Sequence, residues 1–382
     1  MDRSVATANL EALQPMCETL LLTLLSLYEQ WHGDYSTEVP RFSGIGAGGD
    51  NASVQVVRCT IETVFSVAPG DLVSKMLKQV LGKLLAAFTN EDPAEADRCM
   101  GQSIILTGLL STVVRYVKDE GANGALCSRV ELPIILRCLR PHLNEDHIPI
   151  LQKRVYYCLL CICKYHAPLL VTTMLDEMKS ILLETILTIS VVSKKYRLKC
   201  LLYLARHFDA ASPAHIQFIV SVLPEVVLCV KDASRKIRAI CIAIVTRFSD
   251  IMKESTLAYQ REDGSQGHAS LSEFIGLLTA CLASQAPHMQ AAAVLSLGAV
   301  LRHHKGEPEC REVLVNVLHC VYELMETGNK ELVKAGLKYI RIVCRLLPEE
   351  DLVRELDPIM SHVMATGSEN KNKFRLTVDS GE

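Results

Sequence analysis

The sequence is poor in aromatic residues and in the signals of β-structure. Aromatic residues make up 5% of the 382 residues, with a single tryptophan, although apolar residues account for 49%. No Asn-Gly or Asp-Gly turn lies between runs of alternating apolar and polar residues, and strand-like segments do not alternate with helical ones. These absences argue against a doubly wound enzyme fold. They favour a core in which aliphatic side chains pack between helices.

Disulfide and secretory signals are also lacking, despite 15 cysteines. Seven cysteines lie inside apolar helical runs, where cysteine behaves as a small buried hydrophobe: Cys138, Cys158, Cys200, Cys241, Cys281, Cys320 and Cys344. We therefore expect free thiols and a reducing compartment. Glu11 and Glu18 precede the first apolar run, where a signal peptide has cations. Polar residues interrupt the apolar stretch 276–301, so no membrane span is predicted and a soluble protein is expected.

The most informative pattern that is present is a repeat. Five amphipathic segments, each with a polar residue at its start followed by an apolar run, begin at Arg154, Arg197, Arg238, Gln290 and Lys334, at intervals of 43, 41, 52 and 44 residues. Three of these intervals fall within the ~40–47 residues of HEAT and armadillo repeats. The sequence therefore predicts an all-α HEAT/armadillo-like α-solenoid, a superhelix of about six or seven stacked helix pairs.

The repeat also suggests a domain organisation. Residues 1–140 are predicted to form irregular helical repeats, residues 141–378 regular HEAT-like repeats, and residues 379–382 a tail. The polar segment 259–270 accounts for the long interval and is predicted to be an insert. Ser212-Pro213 is expected to start a helix, because Pro suits a first helical turn, and Gly328-Asn329 is expected to end one helix and begin the next.

Charge is unevenly distributed along a chain whose formal net charge is only −3. Residues 141–250 carry 14 basic and 9 acidic side chains. At ~100° per residue, five cations of the segment 330–347 fall on one narrow stripe: Lys330, Lys334, Lys338, Arg341 and Arg345. Two readings stay open: a solvated face neutralised by acidic side chains of a neighbouring repeat, or a docking surface for RNA phosphates or an acidic partner.

Two further basic clusters precede or begin successive helices of the repeat. They comprise Lys194, Lys195, Arg197 and Lys199, and then Lys231, Arg235, Lys236 and Arg238. Stacked in a solenoid, these clusters would form a ridge with the later stripe. Such a ridge contacts phosphates without reading base sequence.

Three motifs that imitate functional sites are given structural interpretations. The string Cys158-x-x-Cys161-x-Cys163-x-x-His166 resembles zinc ligands, but on a continuous helix Cys163 points ~140° from Cys158, so core cysteines are expected. The glycine-rich segment 44–50 lacks the strand, helix and lysine of a phosphate-binding loop. His303-His304 is expected at a helix end. No catalytic constellation, cofactor or metal site is predicted, although an enzyme at a loop site stays a distant alternative.

Several phrases resemble those of the ribosomal RNA processing protein 12 family, nucleolar HEAT-repeat proteins of ribosome assembly. The resemblance extends from about residue 150 to residue 378. It rests on Leu223–Asp232, Ser234–Phe248, Phe274–Leu301, Tyr339–Leu347 and Asn370–Arg375. Family members are much longer, so the chain is expected to be a fragment of such a protein.

The resemblance implies a non-catalytic scaffold of the nucleus and nucleolus that shuttles to the cytoplasm. It would associate with pre-ribosomal particles and their RNA, and it would assist their maturation and nuclear export, with nuclear transport factors as further partners. No small-molecule substrate and no membrane partner are implied. The main alternative is an importin-like transport adaptor that binds a protein cargo or a transport GTPase.

Overall fold

A computed structural model describes residues 70–90, 96–116, 128–144, 148–186, 188–261 and 264–355, together with a few isolated positions. The glycine-rich segment 44–50, the phrase Asn370–Arg375 and the tail 379–382 lie outside these residues. The chain divides into two compact units, Met1–Phe208 and Asp209–Glu382, and each is described by itself. The domain bounds expected from the sequence stay a prediction.

The described part of the first unit contains three helix pairs. Its helices are α1 (Gly70–Thr89), α2 (Ala96–Val113), α3 (Ser128–Leu139), α4 (Pro149–Thr173), α5 (Leu175–Glu184) and α6 (Val191–Ala205). Helices α2, α4 and α6 pack in succession, while α1 packs against α2, and α3 and α5 pack against α4. Alternate helices thus form an inner layer, as expected for paired-helix repeats.

The second unit repeats this arrangement. Its helices are α7 (Pro213–Cys229), α8 (Arg235–Glu254), α9 (Leu271–Ala280), α10 (Pro287–His303), α11 (Pro308–Glu326) and α12 (Lys330–Leu346). Helices α8, α10 and α12 pack in succession, and each also contacts the helix that precedes it in the chain. All five recurrent amphipathic segments therefore lie in helices of the inner layers, and the predicted all-α solenoid is confirmed.

Local sequence signals set many helix starts. Proline occupies the first turn of α4, α7, α10 and α11, where its missing N–H costs no hydrogen bond. The Ser270 side chain accepts a hydrogen bond from the Glu273 amide at 3.0 Å, and Asn329 accepts one from the Glu331 amide at 2.9 Å. Gly328 takes φ +68 just before that cap, a conformation that favours glycine. The predicted starts at Ser212-Pro213 and Gly328-Asn329 are confirmed.

The insert departs from the expectation of a strand-free chain. It contains a small antiparallel hairpin, β1 (Ala258–Gln260) and β2 (Gln266–His268), with Tyr259 opposite Gly267. Gly264 adopts φ +80 in the connecting turn. The sequence does contain an Asp-Gly pair at 263–264, but its flanking runs are too short and polar to show an alternating pattern.

Burial of the cysteines is confirmed for most but not all of those expected in the core. Cys158, Cys161 and Cys163 are buried within α4, as the core interpretation requires. Cys320 and Cys344 are exposed and Cys281 is only half-buried, so expecting these three to be buried was wrong. The positions of Cys320 and Cys344 on α11 and α12 fall outside the covered faces, which the apolar runs alone did not reveal.

One described helix, α4, is long and apolar enough to span a membrane by length and composition. However, 72% of its most apolar window is buried inside the fold, the position of a core helix. His166 interrupts its regular geometry with φ −127 and ψ 18, close to Pro168, and the His166 Nε2 atom lies 2.9 Å from the Val114 carbonyl oxygen. That histidine is therefore engaged by the backbone of the preceding repeat.

Candidate partner-binding surface

Helix α12 carries the strongest candidate surface, which we call the basic stripe. All five of its cations are exposed: Lys330, Lys334, Lys338, Arg341 and Arg345. The opposite face is held in the core by Leu332, Tyr339 and Val343, which are 3%, 1% and 0% exposed. The Tyr339 hydroxyl also donates a hydrogen bond to the Leu314 carbonyl at 3.0 Å. Packing thus fixes the rotation of the helix and keeps the basic stripe outward.

The basic stripe is not neutralised by ion pairs within the described residues. None of its five cations forms an ion pair there. Glu331, the acidic residue beside the stripe, is engaged elsewhere: its Oε2 lies 3.8 Å from Nζ of Lys231 and 3.3 Å from Nδ1 of His288. Like charges at i,i+4 repel by ~0.2–0.5 kcal/mol per pair. A bound polyanion would relieve that repulsion.

The second basic cluster lies in the turn before α8 and in the first turn of that helix. Two of its cations are exposed, and two are engaged by other groups. Arg235 and Lys236 are exposed. Lys231 pairs with Glu331, and Arg238 Nη1 donates hydrogen bonds to the carbonyls of Asp232 and Ala233, each at 2.8 Å. Arg238 therefore closes the turn that precedes its own helix.

The cluster in α6 requires a correction. Arg197 is fully buried, and its guanidinium donates hydrogen bonds to the Leu182 carbonyl of α5. It is inaccessible to RNA and instead bridges two helices. The remaining lysines, Lys194, Lys195 and Lys199, are half-buried, and the Lys195 ammonium lies 5.6 Å from the centre of the Tyr196 ring. The residues of the predicted basic ridge belong to both units, and the ridge itself stays a prediction.

The sequence did give a signal for the buried arginine. Arg197 precedes Cys200, Leu201 and Leu204 by three, four and seven positions, so it shares their helix face. Those three residues are 0%, 1% and 0% exposed. The cation was grouped with its neighbours in the sequence although it lies on the core face.

A network of hydrogen-bonded polar side chains lies at the insert, and it is relevant to the alternative of an enzyme at a loop site. The Tyr259 hydroxyl donates to Glu273, and Arg261 Nη2 donates to the Glu273 carboxylate oxygens at 2.8 and 2.9 Å. Burial and the Glu273 bond raise the pKa of Tyr259 to about 12. The three groups satisfy one another, which makes the network a brace between the hairpin and α9.

One further cluster was missed in the sequence. His303 ends α10 as expected, but the fold places it and His304 beside Asp250 of α8. Asp250 lies more than fifty residues earlier in the chain. In the sequence, only the repeat period indicates that α8 and α10 lie side by side.

Together, the paired helices and outward basic side chains define a HEAT-type α-solenoid with a candidate polyanion-binding face. No family model matches the chain. The crystal structure of Kap121p superposes with a TM-score of 0.52 at 14% identity, covering 93% of this chain and 31% of that one. A designed armadillo repeat protein superposes with a TM-score of 0.38 at 15% identity, and the match covers 70% of this chain and 99% of the designed protein. At 14% identity, the similarity to Kap121p establishes the fold alone.

A curated sequence gives the more specific relationship. The human RRP12-like protein is 26% identical over 338 residues, which cover 87% of this chain and 23% of that protein. The resemblance to the ribosomal RNA processing protein 12 family is thereby confirmed, and the match reaches well beyond residues 150–378. The chain spans about a quarter of the length of this relative.

Proposed function

We propose that this chain is a non-catalytic α-solenoid scaffold in ribosome biogenesis. It associates with pre-ribosomal particles and their RNA in the nucleus and nucleolus, and it assists their maturation and export. The sequence similarity to the RRP12-like protein supports the process. The basic stripe supports the mode of contact, because five exposed cations lie there without an ion-pair partner among the described residues.

Electrostatics decides what kind of recognition such a face performs. Lysine and arginine side chains along a helix contact phosphates and release counterions, which makes affinity steeply dependent on salt. In the described part of the chain, the stripe carries no row of exposed aromatic side chains between its cations. Stacking on unpaired bases is therefore not its mode of binding. We expect contact with the phosphate backbone and little base specificity.

The experiment measures RNA affinity of the chain as a function of salt. Replacing Lys334, Lys338 and Arg341 with Gln removes three charges from the basic stripe. The matched control replaces Lys75, Lys78 and Lys83, three exposed lysines of α1, with Gln. We expect the stripe variant to bind more weakly and its log–log salt slope to decrease by about two to three. The control variant should retain the slope of the unaltered chain.

The main alternative is an importin-like adaptor that binds protein cargo or a transport GTPase, and the Kap121p-like fold favours it only as a fold. Co-purification of the tagged chain separates the two functions. Pre-ribosomal RNA and ribosome assembly proteins should accompany the chain, and fewer of them should accompany the stripe variant. Recovery of a transport GTPase or cargo without RNA, in equal amounts with both variants, would favour the adaptor.

A further inference from the structure

The end of α10 and the C-terminal half of α8 bring three metal-ligating side chains together. His303 Nε2 lies 2.8 Å from Asp250 Oδ1, and His304 Nε2 lies 3.6 Å from the same oxygen. One ligand atom from each residue lies within 4.8 Å of the other two. These residues all belong to the second unit and take no part in the basic stripe.

Each side chain is held in place by its own helix or by a neighbour. His304 follows the last residue of α10 and is 7% exposed, and its ring packs edge-on against that of His303, with centroids 4.7 Å apart. Ser249 Oγ lies 2.9 Å from His304 Nε2 and donates to the Thr246 carbonyl at 2.7 Å. This hydrogen bond fixes the His304 ring, but it engages the same nitrogen that a metal would take, so a bound metal replaces it.

The charges around the cluster suit a divalent cation. Asp250 contributes one negative charge, and within the described residues its ion-pair partners are the two histidines. The nearby Lys253 ammonium is paired with Glu307, whose carboxylate offsets its charge.

We propose that Asp250, His303 and His304 form a Zn²⁺ site that joins α8 to α10. Two imidazole nitrogens and one carboxylate oxygen are donors that Zn²⁺ accepts, with a water at the fourth position. At usual bond lengths of about 2.0–2.2 Å, ligand atoms of a tetrahedral site lie about 3.4 Å apart. The separations of 2.8 and 3.6 Å from Asp250 Oδ1 bracket that value. Small side-chain rotations close the site, with the Ser249 bond to His304 exchanged for the metal.

The consequence of such a site is a cross-link between two successive inner helices. Because Asp250 lies more than fifty residues before the two histidines, the complete ligand set is assembled only in the folded unit. Zn²⁺ then stabilises the second unit by mass action, by an amount that grows with the ratio of free ion to dissociation constant. Thiols and imidazoles exposed on unfolding also bind Zn²⁺ and reduce the net stabilisation.

The test uses the full chain after treatment with a chelator. Calorimetric titration with Zn²⁺ should show one site per chain with micromolar or tighter affinity. Asp250→Asn and His303→Gln should each weaken binding at least ten-fold. His288→Gln and His319→Gln alter exposed histidines of the same unit that pair with Glu331 and Glu355, and they should change affinity less than two-fold. Saturating Zn²⁺ should raise the Tm of the unaltered chain and leave that of His303→Gln unchanged.

Cysteines are the competing ligands, because Cys320 and Cys344 are exposed. Co²⁺ distinguishes the two kinds of site: a thiolate site gives intense sulfur-to-cobalt charge-transfer absorption, whereas a His2Asp site gives only weak visible bands. The expected spectrum lacks the charge-transfer bands and disappears in Asp250→Asn. A thiolate spectrum, no measurable binding, or equal Zn²⁺ affinity of the unaltered chain and both ligand variants would overturn the proposal. Because none of these measurements involves RNA, failure here leaves the proposed scaffold function untouched.

Discussion

The carboxylate of Glu331 lies 3.8 Å from the ammonium of Lys231, across the gap between the first turn of α12 and the turn before α8. This pairing occupies the acidic side chain that sits beside the basic stripe. It also links α12 to the turn that precedes α8, two parts of the second unit that are distant in the chain. The stripe keeps its positive charge partly because this carboxylate is shared with Lys231 and His288.

Removing that carboxylate should strengthen RNA binding. Glu331→Gln deletes the negative charge next to the stripe, so we expect RNA affinity at low salt to rise about two-fold or more. The unfolding free energy should fall by less than about 1 kcal/mol, because exposed ion pairs contribute little. Fluorescence anisotropy with labelled RNA and denaturant titration measure the two effects. Unchanged or weaker binding would remove α12 from the contact surface.

The buried side-chain amide of Gln152 should contribute strongly to the stability of the first unit. Its Nε2 donates to the carbonyls of Leu143 and Thr188 at 3.0 and 2.8 Å, and its Oε1 accepts from the Ser190 amide at 2.8 Å. Gln152→Leu leaves these backbone groups without their partner, which costs about 1–3 kcal/mol for a buried group.

The matched control for that variant is Gln217→Leu. Gln217 makes two similar bonds to the backbone of Gln260, at 3.1 and 3.2 Å, but in a solvent-exposed setting. Water replaces such bonds, so we expect a loss below about 1 kcal/mol. Chemical denaturation of both variants makes the comparison, and equal losses would contradict the structural role of Gln152.

Acid should weaken the brace between the hairpin and α9. Burial acts to raise the pKa of Glu273, but hydrogen bonds from Tyr259 and Arg261 outweigh it and hold that pKa below the ordinary 4.5. The folded state therefore favours the carboxylate. Its contribution to stability is complete above about pH 4.5 and is lost as the pH falls through the lowered pKa. Glu273→Gln should flatten the pH dependence of unfolding between pH 5 and pH 3, and a profile identical to the unaltered chain would exclude this group as its cause.

Two glycine substitutions should have opposite effects on stability. A Cβ at Gly267 would meet Cζ of the Tyr259 ring at 2.6 Å, and that ring is fixed by its bond to Glu273. Gly267→Ala should therefore destabilise the fold by about 1–3 kcal/mol. A Cβ at Gly276 meets nothing within 4 Å, and the residue lies in α9, so Gly276→Ala should stabilise by up to about 1 kcal/mol. Thermal unfolding monitored by circular dichroism gives both signs.

Much of the fold could be predicted because helices are encoded locally. The five recurrent segments found by their spacing lie in α4, α6, α8, α10 and α12. Capping at Asn329 and proline at Pro213 are decided by the backbone groups of a single turn. The hairpin was missed because its strands are three residues long, too short for a pattern of alternation to appear.

The sequence by itself determined the repeat period, the helices and the alignment of five cations along α12, since each depends on spacing within one helix or between successive ones. Tertiary structure decided which of the basic residues remain available. Arg197 is buried against Leu182, Arg238 closes its own turn, and Lys231 is paired, while the basic stripe is exposed. It also brought Asp250 to His303 and His304. The physical reason is that helical periodicity tells which side chains share a face, whereas only the packing of the neighbouring repeat decides whether that face is covered.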